Sequence, residues 1–343
     1  MQPQCVIDMD TARLPIAVLV LSVVAGAVDA QPAPDGGVIV YSAATGVYLA
    51  SPDGSSRVEL VRSAEPVADA ALWRARDMTV WTVSHPLIAH LLVRPPGGES
   101  RYVDTVRGRN EAFGPVSFGD DPPSMLYSGD GSVKLYKPDD ATTVTVALGD
   151  RATWLGAGPQ FVYETGGRDR DEEIGIHLAS VADDSDELIV PYGSHATPSA
   201  WGERLACRVR PPGEEARLAV VDIATRAAIQ APGSGAADTP LALAGNGDLV
   251  LATRQEGLPP DAERWSLVLF DLLEGSVTVL HGPSGAPYDG CFSPESGYVC
   301  FTAQVNGGRR LYLVALDGSG LRELAPDDTQ CRSPHWYGPA PGE

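Results

Sequence analysis

Apolar residues in this chain come in short runs, four runs at a time, with breaker clusters between them. Around Trp73 the runs are ADAALW, MTVWTV, AHLLVR and RYVDTV; around Trp201 they are SAW, RLACRV, RLAVVDI and RAAIQ. In DGCFSPESGYVCFTAQVNGGRRLYLVALDGSGLRELA, four runs are separated by Ser-Pro-Glu-Ser-Gly, Asn-Gly-Gly and Asp-Gly-Ser. Runs of this length, rich in β-branched and aromatic residues and bounded by Gly, Pro, Asn and Asp, predict strands joined by tight turns. With 37 glycines and 29 prolines in 343 residues, long helices have little room.

The groups of four recur. An aromatic or large apolar residue follows a small-residue or proline cluster at Trp73, Phe118, Trp154, Trp201, Leu243, Phe292 and Trp336, at steps of 45, 36, 47, 42, 49 and 44. The chain also repeats itself across its length: VYLASPDGSSRVELV from Val47 aligns without a gap on LYLVALDGSGLRELA from Leu311, 264 positions later, or six steps of 44. Four antiparallel strands every ~40 to 50 residues predict the blades of an all-β propeller. After Trp336 the chain stops within seven residues, so its last unit holds one strand, SPHW; the first unit, GVIVYSA, GVYLASPDG and RVELV, holds three. Joined, the two fragments make one blade, and a C-terminal strand closes the ring and removes the open edges. The count is seven blades; six follows if the short unit after Phe118 is absorbed elsewhere.

These units resemble the repeats of TolB-like propellers, whose pattern is roughly Pro-x-Trp-Ser-Pro-Asp-Gly, a strand, then a strand ending in Asp-Gly. Pro334-His335-Trp336 and Ser293-Pro294 carry the match, which covers the last 60 residues and 37–62 well and the middle thinly. Similar repeats occur in the propellers of prolyl-oligopeptidase-type peptidases. TolB itself carries a mixed α/β domain before a six-bladed propeller, whereas this chain enters its first blade soon after Gln31. The resemblance implies protein partners in the envelope. It also implies a second chemistry, because oligogalacturonate lyases resemble this arrangement and use His and Gln around a metal; Gln304 is available for that role.

Charge narrows the partners. At a net charge of −20 and a pI near 4.6, the chain lacks the cationic surface that nucleic acids and anionic membranes require. LPIAVLVLSVVAGAV, from Leu14 to Val28, is uncharged, follows Arg13 and leads into Val28-Asp29-Ala30. It predicts a Sec-type signal peptide over 1–30, a single propeller domain over 31–343, no membrane span after cleavage, and a periplasmic or secreted monomer. The run is shorter than the roughly 20 residues of a span; an uncleaved anchor is the other reading. Asp8 and Asp10 make the start weakly basic, and Met9 is an alternative first residue. Cleavage leaves Cys207, Cys291, Cys300 and Cys331. A four-residue turn over Pro294 to Gly297 sets Cys291 opposite Cys300, which fits either a disulfide or two buried thiols.

Candidate chemistry lies on the face where strand b to c loops and d to a connections emerge. The b to c loops at 166–173, 210–217, 254–264 and 304–310 mix Arg, Asp and Glu, which reads as a solvated rim or a charged docking surface. The d to a connections place Asp69, His195, Asp238, His281, Asp289 and Asp328 near the starts of innermost strands, hence near the channel mouth. Converging carboxylates there suit calcium or another hard divalent metal; His195 and His281, with His85, suit a softer one. No cofactor is otherwise indicated. The chain has no Gly-x-Ser-x-Gly elbow, P-loop or dinucleotide fingerprint. The first functional reading is therefore a non-catalytic binding scaffold for a protein or envelope component. The alternatives are a metal-dependent carbohydrate lyase or hydrolase, and a structural component of an envelope complex.

Overall fold

A sheet whose strands are apolar on both faces must be covered twice, and a ring of identical neighbours supplies both covers. The computed structural model describes residues 36–107, 113–120, 123–156, 158–166, 174–256, 264–284 and 286–339, and within them lie seven four-stranded antiparallel sheets. The signal peptide expected over 1–30 lies outside the described residues, as does most of the loops 166–173 and 254–264.

Blade 1 is composite. Its innermost strand is β28 (Arg332–Tyr337), which pairs with β1 (Val38–Ala43), followed outward by β2 (Gly46–Ala50) and β3 (Arg57–Arg62). Blade 2 is β4 (Val67–Trp73) to β7 (Arg101–Arg107), with β5 (Met78–His85) and β6 (Ile88–Arg94) between. Blade 3 runs β8 (Ser117–Asp120), β9 (Pro123–Gly129), β10 (Ser132–Lys137) and β11 (Thr142–Leu148); blade 4 runs β12 (Asp150–Trp154), β13 (Gln160–Thr165), β14 (Gly175–Ser180) and β15 (Asp186–Pro191). Blade 5 comprises β16 (Gly193–Pro198), β17 (Arg204–Val209), β18 (Arg217–Asp222) and β19 (Ala228–Gln230). Blade 6 comprises β20 (Asp238–Leu243), β21 (Leu249–Glu256), β22 (Arg264–Asp271) and β23 (Ser276–Ser284); blade 7, β24 (Pro287–Phe292), β25 (Tyr298–Val305), β26 (Gly308–Ala315) and β27 (Arg322–Glu323). The short unit after Phe118 is thus a full blade, and the six-bladed count falls. Among the described residues no helix is long and apolar enough to cross a membrane.

The repeat framework has a fixed place on the innermost strands. Trp73, Phe118, Trp154, Leu243, Phe292 and Trp336 stand opposite Met78, Met125, Phe161, Val250, Val299 and Ile39. Trp201 does not share it. It lies in the turn after β16, 66% exposed, and Pro198 holds the framework position opposite Leu205. Gly202, at φ 72°, closes that turn with its N–H on the Ser199 carbonyl at 2.9 Å, so the SAW run is a turn and not a strand. With Pro198 in place of Trp201, the steps on either side become 44 and 45, and the repeat is more regular than the aromatic residues alone suggest.

Seven apolar clusters form, one per blade interface, and strand pleating assigns successive residues to successive interfaces. On β17, Leu205 and Cys207 pack between blades 4 and 5, while Ala206 packs between blades 5 and 6. On β21, Val250 and Ala252 face blade 5 and Leu251 faces blade 7. On β25, Val299 and Phe301 join the blade 6 side, and Cys300 joins the closing interface with Ile39, Tyr41 and Trp336.

Polar contacts fasten that closing interface. The buried Asp328 carboxylate accepts the Tyr41 hydroxyl at 2.6 Å and the Arg57 guanidinium at 2.7 and 2.5 Å, joining the segment before β28 to β1 and β3. Arg57 also stacks over the Tyr48 ring, 3.8 Å from its centroid. The Ala44 N–H donates to the Thr329 carbonyl at 3.2 Å, and the Leu72 N–H to the Tyr337 hydroxyl at 3.0 Å.

Removing residues 333–343 strips blade 1 of its innermost strand and should lower the melting temperature by at least about 10 °C, since two apolar interfaces open together. Circular dichroism melts check this, and unchanged melting would contradict the closure. Asp328→Asn keeps the shape but strands the Arg57 and Tyr41 donors; a loss of about 2 kcal/mol in urea unfolding is expected.

Candidate functional site

Every innermost strand except the short β8 carries a β-bulge; in β20 it lies mid-strand at Leu241, and in the other five it lies near the beginning, at the channel mouth on the b to c face. Bulges re-aim side chains and break pairing, which is how a propeller turns residues into its channel. In three blades the bulge holds a non-glycine residue in the left-handed region: Arg151 at φ 52°, His195 at 57° and Ser333 at 47°. Such a backbone costs about 1 kcal/mol per residue and persists only when neighbours hold it.

The Arg151 N–H donates to the Ser128 hydroxyl at 2.9 Å, and the Ser333 N–H to the Asp289 carboxylate at 3.1 Å. The Glu164 carboxylate accepts the Ala196 N–H at 2.7 Å together with the N–H of His195, and pairs with Arg151 at 3.2 Å. In each case the acceptor belongs to the preceding blade, so the channel mouth is a chain of inter-blade clasps.

Two polar groupings result. Across blades 4 and 5, His195 sits between Arg151 and Arg208, and burial, then the two guanidiniums, push its imidazolium down to about 4. His195 is therefore neutral at pH 7, with Nδ1 3.2 Å from the Ser194 hydroxyl. Burial raises the Glu164 carboxyl, against the opposing pull of Arg151. Arg208 donates to the Ala236 carbonyl at 2.8 Å, and its buried Nε has no partner.

The second grouping spans the closing interface. Burial raises the Asp69 carboxyl above its usual range, while His335 and the Ser333 hydroxyl, which donates to Asp69, pull it back. Asp289 faces it from blade 7. A cavity of about 230 Å³ opens here, lined by Asp69, Thr82, Ser84, Arg332 and Ser333 among others. Beside it Arg309 stacks over the Tyr288 ring, 3.7 Å from the centroid, and burial and then Arg332 lower its affinity for its proton. The Tyr288 hydroxyl donates to Gln304 Oε1 at 3.0 Å. A larger cleft, about 460 Å³, is lined by Phe118, Trp154, Pro198 and small polar residues, with no ionisable side chain among them.

The sequence-predicted residues therefore separate. Asp69 and Asp289 meet at the mouth, joined by His335, Arg332 and Arg309, which sequence reasoning missed. His195 is also at the mouth. Asp238 is 1% exposed and consumed by Arg254 at 2.8 Å and by the Gly235 N–H at 2.8 Å. Asp328 is consumed by Tyr41 and Arg57. His281 lies on β23, the outermost strand of blade 6, against Phe301 and Tyr312, and not in the connection before β24. His85 pairs with Glu65 at 3.1 Å. Among the described residues no three His, Cys, Asp or Glu side chains gather closely enough to hold an ion. Cys291 and Cys300 stand directly opposite each other, as expected, with neither thiol in a disulfide.

No protein-family model and no curated protein sequence matches the chain. Solved structures do. An oligogalacturonate lyase from Vibrio parahaemolyticus superposes with a TM-score of 0.62 at 10% identity, over 82% of this chain and 91% of that one. An oligogalacturonate lyase in complex with manganese gives 0.60 at 13% identity, over 79% and 82%. TolB from Acinetobacter baumannii gives 0.54 at 17% identity, over 88% of this chain and 66% of its own. The fold is that of the TolB-like β-propellers. At these identities the likeness is one of architecture, and the chain spans about two thirds of that TolB's length.

The neutral His195 has a pH consequence. Its contribution to stability is intact above its ordinary value of 6.5 and is lost as pH falls toward about 4, because the unfolded chain then binds a proton that the native state refuses. His195→Asn, which tolerates the left-handed backbone, should lose less stability between pH 7 and pH 4 than the wild type in urea titrations.

Proposed function

We propose that this protein is an exported, non-catalytic binding propeller, periplasmic or secreted, which receives an acidic segment of a protein partner at the mouth of its channel. One observation carries the reading. In a chain of net charge −20, Arg208, Arg309 and Arg332 at the mouth have no carboxylate partner within ion-pair distance among the described residues, whereas Asp238 and Asp328 are held inside the fold. A guanidinium fork presents paired donors to a carboxylate, and partly shielded sites strengthen that contact over one made in water. The TolB-like fold supports a protein partner.

A second reading, a metal-dependent lyase or hydrolase of an acidic carbohydrate, is favoured by the two oligogalacturonate lyases among the structural neighbours. It sets the mouth arginines against sugar carboxylates, and a cation there would draw ligands from the substrate as well, since Asp69, Asp289 and His335 do not gather as a three-ligand set.

Calorimetric titration with a glutamate-rich peptide and with oligogalacturonate, with and without manganese, separates the two. The first reading expects peptide binding that weakens with salt and falls at least about tenfold in Arg309→Ala/Arg332→Ala, equivalent to losing one charge-assisted contact. Equal affinity in the double variant would overturn it. Shortening of oligogalacturonate only when manganese is present would move the second reading ahead.

A further inference from the structure

Three of the four cysteines beyond Gln31 lie in one apolar cluster, at the interface where blade 7 meets the composite blade 1. Cys291 on β24 and Cys300 on β25 are directly opposed. The Ser293 N–H donates to the Tyr298 carbonyl at 2.9 Å at the head of the hairpin. Rungs alternate in type, so 291 and 300 share the same hydrogen-bonded kind, with Cα atoms about 5.5 Å apart. That separation is within the span of a disulfide, and opposed residues project from the same face of a sheet. The two thiols already share a hydrogen bond, and burial first, then Cys291, pushes the Cys300 thiol well up. Cys300 is fully buried, whereas Cys291 is half-buried and is the accessible member. Cys331 is near enough to add to the upward push on Cys300, but it lies on the segment entering β28, its N–H on the Arg309 carbonyl at 3.1 Å, and is not opposed to either cysteine in the hairpin; Cys207 is buried between blades 4 and 5.

We propose that Cys291 and Cys300 are a redox-active pair whose closure to a disulfide clips β24 to β25 and stiffens the interface that closes the ring. The oxidant is a small-molecule or protein disulfide. Cys291 loses its proton to water and attacks one sulfur of that disulfide, expelling the first thiolate and leaving a mixed disulfide. Cys300, deprotonated in turn as the hairpin opens locally, attacks the Cys291 sulfur and expels the second thiolate. Two cysteine thiols are oxidised, the external disulfide is reduced to two thiols, and the released protons balance the charge. The order follows from access, since an oxidant reaches Cys291 before Cys300. The clip matters beyond its own hairpin because β24 also carries Asp289, which holds the bulged Ser333 N–H of the closing strand.

The test compares the full chain after oxidised glutathione and after dithiothreitol, by thiol titration, peptide mapping and thermal melting. Oxidation should remove two titratable thiols, map to a bond between the Cys291 and Cys300 peptides, and raise the melting temperature by about 4 °C, the gain expected for closing so short a loop in a chain of this size. Cys291→Ser should show neither the bond nor the gain, and Cys331→Ala should keep both. Because Cys291 is half-buried, its serine variant also serves where a Cys300 variant fails to fold. An unchanged thiol count in the native protein would overturn the proposal. So would a bond to Cys331, a glutathione adduct that stays on Cys291, or a disulfide that leaves the melting temperature unmoved.

Discussion

Every blade of this protein is apolar on both sides, and the rest of the architecture depends on that burial. Pleating sends Leu205 and Cys207 one way and Ala206 the other, so a single strand contributes to two interfaces and no blade has a finished surface of its own. An open stack of such sheets would expose an apolar face at each end. The ring has no ends, because β28 returns from the C-terminal side to complete blade 1, and the Asp328, Arg57 and Tyr41 contacts fasten the join. The polar reinforcement lies where the chain itself is discontinuous.

The strand pattern was legible because its signals are local. In blade 2 the four runs around Trp73 match β4 to β7 almost residue for residue, since turn formers bracket each run. Trp201 misled for an equally physical reason. A large aromatic residue suggests burial, but the position opposite Leu205 accepts Pro198, and the tryptophan rides on a turn that Gly202 makes possible. His281, expected in a d to a connection, lies within β23, which continues to Ser284.

The candidate site was less legible, because its character comes from which charges are left over. Sequence distance says nothing of the pairing of Asp238 with Arg254, or of Asp328 with Arg57, 271 positions away. Carboxylates expected to converge on a cation are spent on internal guanidiniums and backbone N–H groups, and Arg208, Arg309 and Arg332 are among the cations of the described residues left without a carboxylate. The one signal available was the arginine at Arg332, two residues before the Pro334-His335-Trp336 motif, whose neighbours Ser333 and His335 prove to share the mouth with Asp69.

Three backbone clasps at the channel mouth run in one direction, from an acceptor in one blade to the bulged N–H of the next. Ser128 serves blade 4, Glu164 serves blade 5 and Asp289 serves blade 1. A residue that shapes the site is therefore anchored by a partner encoded some 20 to 45 positions earlier, in another repeat. Inheritance of such a site cannot proceed by copying a single repeat, because a duplicated blade brings its bulge without its anchor. The rim must diversify in adjacent pairs, and its history should be recorded as correlated change between neighbouring repeats, with a direction around the ring.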